Sequence, residues 1–257
     1  MMKRESMTIQ LQAIYRYPVK GFSPQRLDAA DVTAGKPLPW DRAFAIENGP
    51  SGFDGTAPVH LGKIHFLMLM RQPELAALRT DFDPQTGALC VVLADKMKAE
   101  GNLFEEGGME AVFAYLKTYL AKPMRGEPKL LHASGHAFTD AKTQDISLIN
   151  LASVRAISEK AGEELDPIRF RGNFYVDGAR GWQEHDWVGK EITIGDVSFM
   201  VRKRTQRCAA TNANPVTGER DQQIPKLLMS HFEHMDCGIH LMPLGSGEVK
   251  PGDALCF

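Results

Sequence analysis

The sequence predicts a mainly β fold of the α+β type, in which barrel-like sheets pack against a few helices. Most apolar residues fall in short runs that alternate with polar residues, as a strand with one buried face requires. Gly and Pro interrupt the chain at close intervals, and apolar periodicity of helix length occurs in only a few places. This irregular alternation with few helices disfavours a doubly wound parallel sheet and favours β-barrels.

The first half of the chain begins with a predicted strand from Ile9 to Tyr17, which Pro18 ends. Lys20 follows just past the end of this strand. A second strand is predicted from Asp41 to Ile46, so Arg42 lies near its entrance. The other elements predicted in this half are a short helix from Pro73 to Arg79, a strand from Ala88 to Leu93 and a helix from Gly108 to Leu120.

The second half contains the clearest local signals. Asn150 is a good N-cap for a helix from Leu151 to Ala161, and Gly162 follows as a stop. Gly195-Asp196 predicts a hairpin turn between two strands. The strands predicted in this half are Phe170 to Val176, Glu191 to Ile194, Val197 to Lys203, Ile239 to Met242 and Ala254 to Phe257, and the last helix runs from about Gln223 to His231.

Composition argues against several classes of partner. Thirty basic and 32 acidic residues leave a net charge of −2 and a pI near 6.5, so we expect neither a nucleic-acid nor a membrane partner. Four widely spaced cysteines without a Cys-x-x-Cys pair argue against a disulfide framework or a zinc ribbon. The sequence shows no secretory signal in residues 1–8 and no apolar stretch of transmembrane length, so we expect a soluble protein of the reducing cytoplasm.

Cys208 is the residue to which the sequence most clearly assigns chemistry. It follows a basic run from Arg202 to Arg207 and precedes the turn-forming segment Asn214 to Gly218. Neighbouring Lys and Arg favour the thiolate, the form in which cysteine acts as a nucleophile or a metal ligand. Two structural alternatives stay open: Cys208 could be a buried small hydrophobe, and the basic run could be the solvated face of an edge strand.

Eight short motifs occur along the chain in the order found in MOSC proteins, and the chain resembles that family through the ordered set rather than through any one motif. The motifs are Tyr17-Pro18-Val19-Lys20, Asp41-Arg42, Arg169-Phe170-Arg171-Gly172-Asn173, Glu184-His185-Asp186-Trp187, Ile194-Gly195-Asp196-Val197, Arg207-Cys208, Pro215 to Asp221 and Val249 to Asp253. The chain is similar to the amidoxime-reducing members of the family and to the C-terminal part of molybdenum cofactor sulfurase.

The resemblance implies a smaller N-terminal β-barrel-like domain over residues 8–125 and a MOSC β-barrel domain over residues 126–257, with a first strand that both could share. A composition change near the boundary, at Pro123, Gly126 and Pro128, fits this division. Glu184 to Trp187 is expected to be structural, with Trp187 packed in the core.

The resemblance also implies a molybdenum cofactor, in which a pyranopterin dithiolene holds the metal. In the family a cysteine coordinates molybdenum, and this role falls on Cys208, whose thiolate is a suitably soft ligand. The cofactor's phosphate and pterin require cations and amide groups. The residues predicted to bind the cofactor are Lys20, Arg42, Thr139, Asp140, Arg171, Asn173 and Arg207. Arg171 and Asn173, two positions apart, would share one face of a strand.

The chain departs from the family pattern at several places. Gly21 stands where the family often has Ser, so a hydroxyl contact to the cofactor is lost, and Gly172 replaces the usual Pro. The family's Asp-Thr-Ser-Pro-like segment corresponds only loosely to Thr139 to Thr143, which makes Thr139 and Asp140 candidates only. Asn214 replaces an Asp and removes a charge beside the predicted metal site.

Other kinds of site were considered from the residues alone. His231, His234 and Cys237 have a spacing that could bind zinc with a distant fourth ligand, although helix-end histidines and a core cysteine explain them better. The glycine-rich segment 49–55 lacks the Gly-Lys-Ser/Thr ending of a phosphate loop. No motif of a serine hydrolase, a zinc protease or a dinucleotide-binding enzyme strengthens a rival class.

Two hypotheses about function follow from the resemblance. The first is a molybdenum oxidoreductase that reduces a small N-oxygenated or N-hydroxylated substrate. Its electrons would come from a separate flavin or iron–sulfur protein, because this chain has no cluster-binding cysteine pattern and no nicotinamide fingerprint. The second is a carrier that holds the cofactor, or sulfur as a persulfide on Cys208, without turnover.

Overall fold

The computed structural model describes residues 8–257. Residues 1–7 lie outside the described residues. They make up most of the segment 1–8, for which the sequence predicts no secretory signal. The strands are β1 (Gln10–Arg16), β2 (Gln25–Leu27), β3 (Ala30–Val32), β4 (Phe44–Ile46), β5 (Arg79–Phe82), β6 (Ala88–Leu93), β7 (Lys96–Asn102), β8 (Leu130–His132), β9 (Ile146–Asn150), β10 (Phe174–Asp177), β11 (Glu191–Ile194), β12 (Val197–Gln206), β13 (Asp236–Pro243), β14 (Gly247–Val249) and β15 (Leu255–Cys256). The α-helices are α1 (Glu110–Tyr119), α2 (Leu151–Ala161) and α3 (Ile224–Phe232). The prediction of a mainly β fold is confirmed.

The largest sheet has eight strands in the order β15-β11-β12-β13-β9-β10-β1-β2 and curls around an apolar core. β9 and β10 are parallel, and each other neighbouring pair in this sheet is antiparallel. The core side chains include Leu11, Leu148, Phe174, Phe199 and Ile239, which come from five different strands. Because β1 pairs with β10, the start of the chain is part of the same sheet as the second half.

A second core lies under the first half of the chain. β5, β6 and β7 form an antiparallel sheet, and α1 packs with it through Val112 and Leu116. Phe44 of β4 joins this core, where its ring contacts the rings of Trp40 and Phe82. Among residues 8–257, no helix has the length and apolarity that crossing a membrane would demand.

Helix α2 forms where its capping residues predict it. The Asn150 side chain accepts a hydrogen bond from the Ala152 backbone N–H at 3.0 Å, and Gly162 ends the helix in the left-handed conformation. Val154 and Ile157 are buried against the outer face of the sheet, beside Ile149 and Tyr175. The position of α2 therefore follows from its local sequence and its one apolar face.

Glu184 joins this helix to the segment before β11. Its carboxylate is fully buried and accepts hydrogen bonds from Asn150 Nδ2 at 2.8 Å and from Ser153 Oγ at 2.7 Å. Burial raises the pKa of Glu184, although these hydrogen bonds favour its charged form. Trp187, two percent exposed, packs in the main core, so the structural role predicted for this motif is confirmed.

Two predictions of local structure are wrong. Residues Pro167–Phe170 form a 3₁₀ helix and Arg171 is left-handed, so no strand begins before Phe174. The predicted helix from Pro73 is a 3₁₀ helix that ends at Ala77, because β5 begins at Arg79. The solvated-edge alternative for the basic run agrees with the structure. β11 pairs with β12 only over Val197–Met200, so Arg202 to Arg204 have a strand partner on the β13 side alone, and all three are exposed.

Gly238 of β13 packs closely against Leu148 of the neighbouring strand β9. Its φ is +81°, and an added Cβ would lie 2.3 Å from the Leu148 carbonyl oxygen. We expect Gly238→Ala to lower the free energy of unfolding by about 2–5 kcal/mol, from backbone strain plus this overlap. Gly189→Ala is the matched control, because Gly189 has φ +82° but nothing within 4 Å of an added Cβ. Urea denaturation should show a loss of only about 1–2 kcal/mol for that control, and equal losses would contradict the prediction.

Candidate functional site

The structure contains a cavity of about 620 Å³, whose walls come from β12, β13 and the loops after β1 and β8. All eight residues that the sequence singled out for the site line this one cavity. They are Lys20, Arg42, Thr139, Asp140, Arg171, Asn173, Arg207 and Cys208. Residues from both halves of the chain therefore meet in one place, and the role of each stays a prediction.

Cys208 lies just past the end of β12, where the chain leaves the sheet. Its backbone is extended, and its carbonyl oxygen accepts hydrogen bonds from the Thr211 N–H at 3.0 Å and the Thr211 hydroxyl at 2.9 Å. These bonds start a short 3₁₀ helix at Ala209 and fix the backbone that carries the thiol. The side chain is half-buried and free of any disulfide, so its sulfur is available to a ligand in the cavity.

Arg207, the residue before Cys208, also anchors this part of the backbone through its side chain. Its Nη1 donates to the Phe170 carbonyl and its Nε to the Cys237 carbonyl, each at 2.8 Å. Both acceptors are neutral, so the guanidinium keeps its full charge beside the cavity. Cys237 itself is a fully buried core residue, and burial raises the pKa of its thiol to about 12.

Lys20 and Asp140 form an ion pair at the cavity. Lys20 Nζ donates to Asp140 Oδ1 at 2.5 Å and to the Phe138 carbonyl at 2.8 Å. Burial lowers the pKa of Lys20, and the Asp140 carboxylate opposes this shift. Thr139 is also engaged, because its hydroxyl donates to the Ala141 carbonyl at 2.6 Å. Asp140 therefore holds a cation rather than offering a free carboxylate.

Lys63 is a site residue that the sequence did not reveal. Its ammonium lies 3.4 Å from Asp140 Oδ2 and close to the Cys208 sulfur. Burial lowers its pKa, but Asp140 and Cys208 outweigh that effect and hold the pKa above its usual value. Its neighbours, Leu61 to Ile64, match no motif, so only the fold reveals its position next to the thiol.

Arg42 and Arg171 both lie over the ring of Tyr17. Their guanidinium carbons are 4.5 and 4.3 Å from the ring centroid, a favourable cation–π geometry. Arg42 Nη2 donates to the Arg171 carbonyl at 2.9 Å, and Arg171 Nη1 donates to the Phe22 carbonyl at 2.9 Å. The two arginines are thus presented as one unit.

Asn173 lies just before β10, and its side chain is held by hydrogen bonds to Ser147 of β9 and Tyr15 of β1. Its Oδ1 accepts from the Ser147 N–H and hydroxyl, and its Nδ2 donates to the Tyr15 carbonyl at 3.1 Å. Arg171 is left-handed and precedes β10, so the prediction that Arg171 and Asn173 share a strand face is wrong. They meet in the cavity because Arg171 turns toward Tyr17.

The chain departs from the family pattern at Gly21 and Gly172, and the structure explains both glycines. Gly21 has φ +86°, and a Cβ there would lie 3.1 Å from the Leu67 carbonyl oxygen, so a serine would be strained. A Cβ on Gly172 would lie 2.4 Å from Ile149 Cγ1. The left-handed backbone therefore favours glycine at position 21, and close packing requires it at position 172.

Lys203 is exposed, as a solvated strand surface predicts, and together with Arg204 it also borders the cavity. The zinc alternative finds no support in the described part of the chain. Between residues 8 and 257, no three His, Cys, Asp or Glu side chains come together in a way that could hold a metal ion, so His231, His234 and Cys237 do not form such a site.

Two family models match the chain. The MOSC N-terminal beta barrel domain matches residues 8–119, and the MOSC domain matches residues 134–256. The chain belongs to the MOSC family. The predicted boundary between residues 125 and 126 stays a prediction.

The chain is similar in sequence to proteins named molybdenum cofactor sulfurase. It is 23% identical to Molybdenum cofactor sulfurase 2 of Aedes aegypti over 93% of this chain and 31% of that protein. It is 34% identical to the Homo sapiens Molybdenum cofactor sulfurase over 37% of this chain and 12% of that protein. The chain thus spans less than a third of the length of these relatives. The solved YUAD protein from Bacillus subtilis aligns over 97% of this chain and 94% of its own, at 15% identity and a TM-score of 0.48.

The ion pairs of Asp140 predict a pH effect on stability. Burial alone would raise the pKa of Asp140, but Lys20 and Lys63 outweigh it and lower the pKa to about 2, against about 3.9 in the unfolded chain. The stabilisation is therefore complete above about pH 5 and is lost as the pH falls through 4 toward 2. Asp140 is half exposed, so we expect Asp140→Asn to cost below about 1 kcal/mol at pH 7.

Urea denaturation of wild type and Asp140→Asn between pH 7 and pH 2.5 measures this difference, which should shrink as the pH falls. Asp31→Asn is the control, since Asp31 is an exposed residue of β3. A difference that stays constant or grows on acidification would contradict the assignment.

Proposed function

We propose that this chain binds a molybdenum cofactor and reduces small N-oxygenated or N-hydroxylated compounds with electrons from a separate flavin or iron–sulfur protein. The observation that carries the proposal is the convergence of a half-buried free cysteine and eight cationic side chains on one cavity. The cations are Lys20, Arg42, Lys63, Arg169, Arg171, Lys203, Arg204 and Arg207. Family membership supports the choice of cofactor.

The residues present fit such a cofactor. Cys208 offers a soft sulfur ligand, and the guanidinium groups suit a phosphate because they can donate paired hydrogen bonds. Within residues 8–257, five residues that line the same cavity each have one buried side-chain atom without a hydrogen-bond partner. The atoms are Thr143 Oγ1, Asp145 Oδ2, Arg169 Nε, Thr205 Oγ1 and His240 Nδ1. Buried polar atoms are rarely left unpaired, and these residues give the cavity a polar lining that suits a polar ligand.

Each residue would act through binding or positioning. When bound, the molybdenum centre would supply the redox chemistry that removes oxygen from nitrogen. Cys208 would hold the metal, while Arg42 and Arg171, fixed over Tyr17, would hold the cofactor's phosphate or pterin. Lys63 lies close to the Cys208 sulfur, where its ammonium can donate a hydrogen bond to a substrate oxygen.

The alternative function is a carrier of the cofactor, or of persulfide sulfur on Cys208, without turnover. Its support is the set of relatives, which are named as molybdenum cofactor sulfurases. For either function we propose a cytoplasmic location, because four free cysteines suit a reducing compartment.

Loss of the Cys208 sulfur should release the metal. We expect Cys208→Ser, expressed with cofactor supply, to retain less than about a tenth of the molybdenum per protein of wild type, as removal of a ligand should cost at least what a supporting residue does. Elemental analysis of freshly purified protein makes the measurement. Cys256→Ser is the matched control, because Cys256 is exposed and does not line the cavity. Wild-type molybdenum content in Cys208→Ser would refute the ligand assignment.

Turnover separates the two functions. Cofactor-loaded protein given an artificial electron donor should convert benzamidoxime to benzamidine, and Cys208→Ser should be at least about a hundredfold slower because it lacks the metal ligand. Product formation followed by chromatography gives the rate. Bound molybdenum without reduction of any N-oxygenated compound would favour the carrier.

A further inference from the structure

A second cavity, of about 270 Å³, lies between the two halves of the chain. The first half lines it with β1 and the loop after it, the 3₁₀ helix Pro73–Ala77 and the start of β5. The second half lines it with the 3₁₀ helices Pro167–Phe170 and Ala209–Asn212 and the loop that follows. Cys208 does not line this space, so the second cavity is separate from the proposed metal site.

Most residues of the second cavity are apolar. Tyr15 contributes an aromatic ring, which packs edge-to-face on Tyr175 at a centroid distance of 5.4 Å. The other apolar lining residues are Pro24, Leu69, Ala76, Ile168, Ala210, Ala213 and Pro215. A cavity of about 150 Å³ with apolar walls is large enough for benzene. The second cavity therefore has room for one aromatic ring with a short side chain.

The polar part of this lining has an excess of positive charge. Its charged residues are Arg79, Arg169, Arg171 and Asp166. Arg169 is neutralised from outside the cavity by Asp221, at 2.8 Å. Neither Arg79 nor Arg171 forms an ion pair within residues 8–257. Because Asp166 is the single acid in the lining, one positive charge is left without a partner.

Backbone carbonyls hold these two arginines in place. Arg79 Nη1 donates to the carbonyls of Ala76 at 3.2 Å and Pro215 at 2.8 Å, which ties the two halves of the chain together. Arg171 Nη1 donates to the Phe22 carbonyl at 2.9 Å. A guanidinium has several N–H donors, so each arginine can still donate hydrogen bonds to a ligand.

We propose that the second cavity is a binding site for a small aromatic carboxylate. The ring of such a ligand packs with Tyr15 and the aliphatic side chains, where its burial is favourable. Its carboxylate accepts charge-assisted hydrogen bonds from the arginines and balances their excess charge. A neutral aromatic compound would leave this charge unpaired, and an inorganic anion would leave the apolar lining in contact with water.

Calorimetric titration of the full chain with phenylacetate tests the site. Phenylacetamide is the matched neutral ligand, and acetate has the charge without the ring. We expect phenylacetate to bind about tenfold or more tightly than either one, because the carboxylate and the ring both contribute to affinity.

Arg79→Gln removes an exposed cation, so the fold should tolerate it. We expect this variant to bind phenylacetate about fivefold or more weakly, through loss of charge-assisted hydrogen bonds. Arg180→Gln is the matched control and should bind as wild type does, since Arg180 is exposed and lines neither cavity.

Ala76→Phe tests the apolar part of the second cavity. Ala76 is half-buried in the lining, so a phenyl group there would occupy the space of the ligand's ring. We expect this variant to lose phenylacetate binding. If it does not fold, Arg79→Gln and the comparison of ligands decide the outcome.

Lys203→Gln distinguishes the second cavity from the first, which is also cationic. Lys203 lines the first cavity alone, so its loss should leave phenylacetate binding unchanged. Equal affinity for phenylacetate and phenylacetamide would overturn the assignment, as would wild-type binding by folded Arg79→Gln or Ala76→Phe. An equal loss of binding in Lys203→Gln and Arg79→Gln would also overturn it.

Discussion

The packing of Arg42 and Arg171 on the ring of Tyr17 is the interaction on which the site depends. Both arginines have φ of +52°, a left-handed backbone that costs roughly 1–3 kcal/mol for a non-glycine residue. Two cation–π contacts of about 0.5–2 kcal/mol each offset part of this cost. The hydrogen bond from Arg42 Nη2 to the Arg171 carbonyl then ties the turn before β4 to the turn before β10. Because those turns come from opposite halves of the chain, the contacts with Tyr17 hold the two halves together beside the cavity.

Arg171 and Arg207 keep their positive charge beside the cavity, whereas Arg42 is ion-paired with Asp41 and Arg169 with Asp221. Arg207 donates to the carbonyls of Phe170 and Cys237, and Arg171 donates to that of Phe22, so these charges are solvated by dipoles without being neutralised. Such a surface attracts anions.

Local signals predicted the fold well where a single feature decides the structure. The hairpin of β11 and β12 and the caps of α2 occur at the predicted residues, because a two-residue turn and a capping side chain act over a few positions. β7 and β9 were not predicted. β9 is a central strand whose neighbours, β13 and β10, come later in the chain, and the polar sequence of β7 shows little alternation. Arg171 was misplaced because the sequence alone does not show that the chain turns left-handed before Asn173.

The sequence by itself led to eight side chains that all line one cavity, six of them through the ordered motifs. It also determined the mainly β character of the chain, through alternation and turn residues. Only the tertiary structure decided the contacts of the side chains in the cavity. It pairs Asp140 with Lys20 and brings Lys63 close to Cys208. It also leaves one side-chain atom of Asp145 and one of His240 without a hydrogen-bond partner. The physical reason is that these contacts join residues distant in the chain, whose distances depend on how the sheets curl and pack.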